Sequence, residues 1–155
     1  MEFRFKELVL EADTARTRAL YEALGDVTAA CACPGCRNYL RARDFLPRAV
    51  LDFFHALGID PGKAAEVYPW CAEQEGRALY YGGFYHFCGS LLQGEDCWRE
   101  GGEMNTAGLI TLAEGFRAGF TRRISLPEEN LPAPVLQLEI DFHGVPWLLD
   151  EKNPY

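Results

Sequence analysis

No apolar run in this sequence approaches the roughly 20 residues that a membrane-spanning helix needs. The opening residues, Met1-Glu2-Phe3-Arg4-Phe5-Lys6, alternate charge and ring, so the apolar stretch of a signal peptide is missing as well. Phosphate loop, nucleophile elbow and dinucleotide fingerprint are all absent, which leaves no nucleotide or serine-hydrolase signature. There is no internal repeat and no low-complexity segment. Positive charge is also in short supply. The net charge is −8, and the acidic excess falls after Lys63. An acidic surface argues against non-specific binding to nucleic acid or to anionic membranes. It serves solubility and leaves room for a basic protein partner. Together these absences predict a cytoplasmic protein with no nucleic-acid and no membrane partner.

The chain of 155 residues suits one domain, 1–155, with an ordinary core. A hydrophobic content of 48% and a charged content of 25% are those of a globular protein. In a chain without an export signal, the six cysteines read as free thiols or metal ligands rather than disulfides.

Periodicity predicts helices early and strands late. Residues 2–11 read as one strand. Phe3 and Phe5 share one parity, Leu8 and Leu10 the other, and a bulge at Lys6-Glu7 would reconcile them. Asp13 is placed to cap a helix reaching Leu24. A short helix is expected over 37–43. A further one starts near Pro47, buries Val50, Phe53, Phe54 and Leu57, and stops at Gly58. Residues 66–72 and 78–88 read as a hairpin turning at Gln74-Glu75-Gly76. The second of these strands is apolar at both parities and should lie centrally. Within it, Gly82-Gly83 suggests a bulge or a close backbone approach. A loop is expected over 93–105, a short helix or strand over 107–113, a strand over 115–126 and a proline-bounded connection over 127–134. In the strand over 135–143, Leu136, Leu138, Ile140 and Phe142 alternate with Gln137, Glu139, Asp141 and His143. That pattern predicts one buried and one wet face. The fold expected is α+β: one antiparallel sheet of about four to six strands, with the N-terminal helices packed on one face.

The chemically pointed feature is Cys31-Ala32-Cys33-Pro34-Gly35-Cys36. Cys33 and Cys36 have the C-x-x-C spacing that lets two thiolates grip one ion, and Cys31 adds a third. No second C-x-x-C follows, so a fourth ligand must come from elsewhere. His86, on the central strand, is the nitrogen donor of choice; Cys71, Cys88 and Cys97 are alternatives. A Cys₃His set formed by Cys31, Cys33, Cys36 and His86 would suit zinc. Two other readings stand beside it. The cluster can be a turn of unliganded thiols. Alternatively, Cys33 and Cys36 can be a redox pair whose thiol pKa is lowered at a helix start, although thioredoxin-like proteins place that motif after a strand and here a helix precedes it.

Several segments resemble, together, a family of small uncharacterised proteins of Gram-positive bacteria. They are the C-x-C-x-x-C-x-N run ending at Asn38, Gly58-Ile59-Asp60-Pro61, Ala65-Glu66-Val67-Tyr68, Tyr80-Tyr81-Gly82-Gly83-Phe84-Tyr85-His86, Pro146-Trp147 and Asn153-Pro154-Tyr155. The resemblance spans nearly the whole chain. It implies a bacterial cytosolic protein and brings no mechanism with it.

The remaining candidates have plainer readings. His86 in an aromatic strand is commonly a core histidine with backbone or hydroxyl partners. Glu139 and Asp141 would sit about 7 Å apart on one strand face. They read as a solvated pair facing Arg117 or Arg4 across the sheet rather than as an acid–base couple. The function expected is therefore a non-catalytic binding or interaction module, for which an immunity protein against a basic toxin is one form. It would carry a metal staple at the cysteines. The alternatives are a thiol–disulfide oxidoreductase using Cys33 and Cys36, and a hydrolase using His86.

Overall fold

The computed structural model describes residues 1–127 and 131–155. The middle of the connection expected over 127–134 lies outside these residues. Among the described residues, three α-helices and seven strands form an α+β fold around one antiparallel sheet. The strands are β1 Glu2–Phe5, β2 Leu8–Ala12, β3 Glu66–Glu73, β4 Ala78–Gln93, β5 Leu109–Ala113, β6 Phe116–Thr121 and β7 Val135–Pro146. The helices are α1 Thr14–Ala23, α2 Pro34–Ala42 and α3 Arg48–Leu57. Among the described residues no helix is long and apolar enough to cross a membrane.

The parity switch at Lys6-Glu7 is a chain reversal and not a bulge. Lys6 takes φ 55°, and β1 folds back on β2 with Phe3 opposite Leu10 and Phe5 opposite Leu8. Both pairs share one face because they belong to two strands. Asp13 caps α1 as expected, its carboxylate accepting the Arg16 amide at 3.0 Å.

β4 organises the sheet. One edge pairs with β7 from Ala78 to Cys88. The other edge is divided: β3 takes Ala78 to Phe84, and β2 takes Gly89 to Gln93. Between them the edge is completed by α1 side chains. The Tyr21 hydroxyl donates to the His86 carbonyl at 2.9 Å, and the Cys88 amide donates to Thr17 Oγ1 at 3.1 Å. Backbone polar groups that no strand pairs are thus satisfied by a helix. Gly82-Gly83 marks a close approach: a Cβ on Gly83 would lie 2.6 Å from the Glu66 carbonyl oxygen of β3. The bulges opposite Tyr80 lie in the partner strands, at Trp70 of β3 and at His143-Gly144 of β7.

The core lies between the sheet and the helices. Leu136, Leu138, Ile140 and Phe142 are buried together as expected. Phe54 of α3 meets Tyr85 and Phe142 edge-on, with ring centroids 4.9 and 6.3 Å away. Tyr39 of α2 meets Tyr81 at 5.1 Å.

The other face of β7 departs from expectation. Glu139 and Asp141 are each only 4% exposed, and Gln137 is 1% exposed. The face is covered by Tyr68 of β3, Phe84 of β4 and the segment 94–108. That segment is folded rather than loose. Cys97 donates its amide to the Phe120 carbonyl at 2.9 Å, and Asn105 donates to Glu95 at 2.6 Å and to the Asp96 carbonyl at 3.1 Å. Of the two partners named for the acidic pair, Arg117 is the one used. Its Nε and Nη2 donate to Asp141 Oδ2 at 2.8 and 2.6 Å.

Candidate metal centre

The cysteine cluster sits at the start of α2, which begins three residues earlier than the sequence suggests. Pro34 occupies the first turn, where its missing N–H costs nothing. Cys33 is the N-cap, and its Sγ accepts the Cys36 amide at 3.5 Å. Cys36 therefore lies within the first helical turn, and Cys31 in the irregular approach to it. The three thiols lie within 4.8 Å of one another. Among the described residues no other histidine, cysteine or carboxylate joins the group. All six cysteines are free.

Neighbouring elements hold the cluster rigidly. Gly35 is pressed against β3, where a Cβ would lie 2.6 Å from Pro69 Cγ. Its amide donates to the Tyr155 hydroxyl at 3.0 Å, and its carbonyl accepts from Tyr81 at 2.7 Å. Asn38, fully buried one turn further on, anchors the C-terminal segment. Its amide nitrogen donates to the Pro146 carbonyl at 3.0 Å and to the Tyr81 hydroxyl at 3.2 Å. Its Oδ1 accepts the Leu148 amide at 2.7 Å. Arg37 adds a pair with Glu151 at 2.6 Å. Sequence reasoning assigned no role to Asn38, Pro69 or Tyr155. The signal for Asn38 was its polar side chain inside a short, strongly amphipathic helix.

The thiols differ in character. Cys31 is exposed, Cys33 half-buried and Cys36 buried. At Cys33, burial raises the pKa, but the Cys36 amide and donors from Cys31, Cys36 and Tyr155 outweigh it and bring the thiol down to about 7. Burial, reinforced by the neighbouring Cys33 and Cys31 thiols, pushes Cys36 well up. A thiolate is thus favoured at one sulfur, and the proton stays on its buried neighbour.

His86 does not join the cluster. From Tyr81 to Cys88, β4 pairs with β7 residue by residue, so side chains alternate strictly. Tyr81 and Tyr85 reach α2, through Gly35 and Tyr39. His86 therefore points the other way, beside Phe84, with Nε2 3.1 Å from Gln137 Oε1. It is 3% exposed, in keeping with a core histidine. Parity on the strand is what separates it from the thiols. Cys88 and Cys97 are buried and Cys71 is exposed; none of them belongs to the cluster.

A tetrahedral zinc site with Zn–S of about 2.3 Å sets its sulfurs about 3.8 Å apart. The three thiols need to close by about an ångström at most to meet that geometry. Set against known proteins, the chain matches no family model, no curated protein and no solved structure.

Proposed function

We propose that this protein is a non-catalytic binding module that holds a thiophilic metal ion, zinc foremost, on Cys31, Cys33 and Cys36. The observation that carries the reading is the gathering of three thiols within 4.8 Å at a rigid helix start. Three soft donors favour zinc over hard cations. The fourth position is filled by water or an external donor, with the Tyr155 hydroxyl close by. Metal binding would tie the approach at Cys31 to the first turn of α2, which Gly35 already holds against β3 and Tyr155, so its binding energy adds to folding. A reducing bacterial cytosol, which the resemblance of the cysteine run implies, would keep the thiols available. The acidic surface suits a basic protein partner.

The test is metal analysis of protein purified without an affinity tag, followed by melting with and without chelator. About one zinc per chain and a chelator-induced fall in Tm, abolished in Cys36→Ser, support the reading. Metal-free protein that melts identically with added zinc sinks it.

A second reading has its own observation: Cys33 caps a helix while Cys36 is buried behind it, the arrangement of an attacking and a resolving thiol. Against it stands the order of elements: helix α1 precedes the motif, where thioredoxin-like proteins have a strand. Insulin reduction by the pre-reduced protein, lost in Cys33→Ser, would establish the oxidoreductase in place of the metal site.

A further inference from the structure

The second face of the sheet holds a cavity of about 240 Å³, remote in chemistry from the thiols. Its walls include Tyr68, Phe84 and Trp98; Glu139 lines it, with Arg123 and Ser125 beside them. Tyr68 and Phe84 rings stand 6.2 Å apart.

Glu139 and Asp141 share this face and a degree of burial, but their environments differ. Asp141 is neutralised by Arg117 and receives the Tyr80 hydroxyl. Among the described residues no lysine, arginine or histidine pairs with Glu139. Its donors are neutral: the Gln137 amide and the Trp98 indole. Gln137 is fixed in that orientation, because its Oε1 already accepts the Ser125 amide at 2.7 Å and faces His86 Nε2. A buried carboxylate without a countercharge is costly. One that opens on a cavity with aromatic walls offers an organic cation two attractions at once, the charge and the ring faces. Arg123 is exposed and supplies the opposite charge at the same cavity.

We propose that this cavity binds a small zwitterion of the amino-acid or betaine class, with its ammonium group against Glu139 and the aromatic rings and its carboxylate toward Arg123. The volume suits a molecule of that size. The site is independent of the cysteine cluster and stands whether or not the cluster holds metal.

Titration calorimetry with glycine betaine, its uncharged-head isostere 3,3-dimethylbutanoate, and choline tests it. Betaine should saturate one site, with the isostere at least about tenfold weaker, since the two share shape and differ in the cationic head. Glu139→Gln should lower betaine affinity to that of the isostere. Arg123→Gln, a change on an exposed side chain, should weaken betaine while leaving choline unchanged. Equal binding of betaine and the isostere would overturn the proposal. So would the absence of saturable betaine binding up to about 10 mM, weaker than any useful site, or a Glu139→Gln variant that folds and binds betaine as the parent does.

Discussion

Asn38 anchors the helix that carries the cysteine site. It is fully buried, and both ends of its side chain are used, across to β4 and to the segment after β7. Asn38→Ala strands the Leu148 amide and the Pro146 carbonyl, at a cost of about 2–4 kcal/mol. Urea unfolding measures this; a loss below about 0.5 kcal/mol would remove Asn38 from the anchoring role. Glu139 gives a prediction in pH. Burial raises its pKa in the folded protein, against the partial relief of Trp98 and Gln137. The folded state therefore holds this proton to a higher pH than the unfolded chain, whose glutamates titrate near about 4.3. The group's contribution is full below the unfolded value and declines as pH rises through the folded one. Glu139→Gln removes that decline. The difference in Tm between variant and parent should be smallest near pH 4 and move in the variant's favour toward pH 7. A difference that stays flat with pH would show that the carboxylate titrates alike in the folded and unfolded states.

At the scale of elements, α1 acts as part of the sheet. A 16-residue strand borders β2 and β3 on one edge, and the stretch between their pairings is completed by Thr17 and Tyr21. The Cys88 amide should exchange slowly in deuterium although no strand accepts its hydrogen. Thr17→Val keeps the shape and removes the acceptor, so that amide should lose protection while those of Tyr85 and Phe87 keep theirs. An unchanged Cys88 rate would mean that α1 does not complete the edge. α2 shows the same economy. Pro34 and the Cys33 cap start the helix early and so put the cysteines on a fixed frame. Without that frame they would sit on a free turn, and their spacing would say little about a site.

Over the whole molecule, one buried cluster joins β1–β2, the three helices and the sheet. Ile140 lies in its middle on β7, 2% exposed and opposite Gly83 and Ala118. Ile140→Asp buries an unpaired carboxylate there. Because the core is continuous, it should abolish the cooperative transition altogether rather than loosen one part. Circular dichroism melting checks this, and a parental Tm would mean that β7 packs in a different register.

Local rules determined much of this protein from sequence alone. Asp13, Pro47 and Gly58 mark helix ends by backbone chemistry that acts within a turn. The alternation through Leu136, Leu138, Ile140 and Phe142 needs only a period of two to declare a buried face. The three thiols come together because they are close along the chain. What lay beyond reach depended on contacts distant in sequence. Polar residues at Glu139 and Asp141 looked solvated because alternation shows which side is apolar, and says nothing of what covers the other side. Tyr68, Phe84 and the folded segment 94–108 cover it. His86 was a reasonable fourth ligand by residue type. Its parity relative to Tyr81 and Tyr85 became meaningful only when those two were seen to meet α2, and that placed His86 on the face away from the thiols. Side-chain chemistry is written in the sequence, but which side chains face one another is settled by packing.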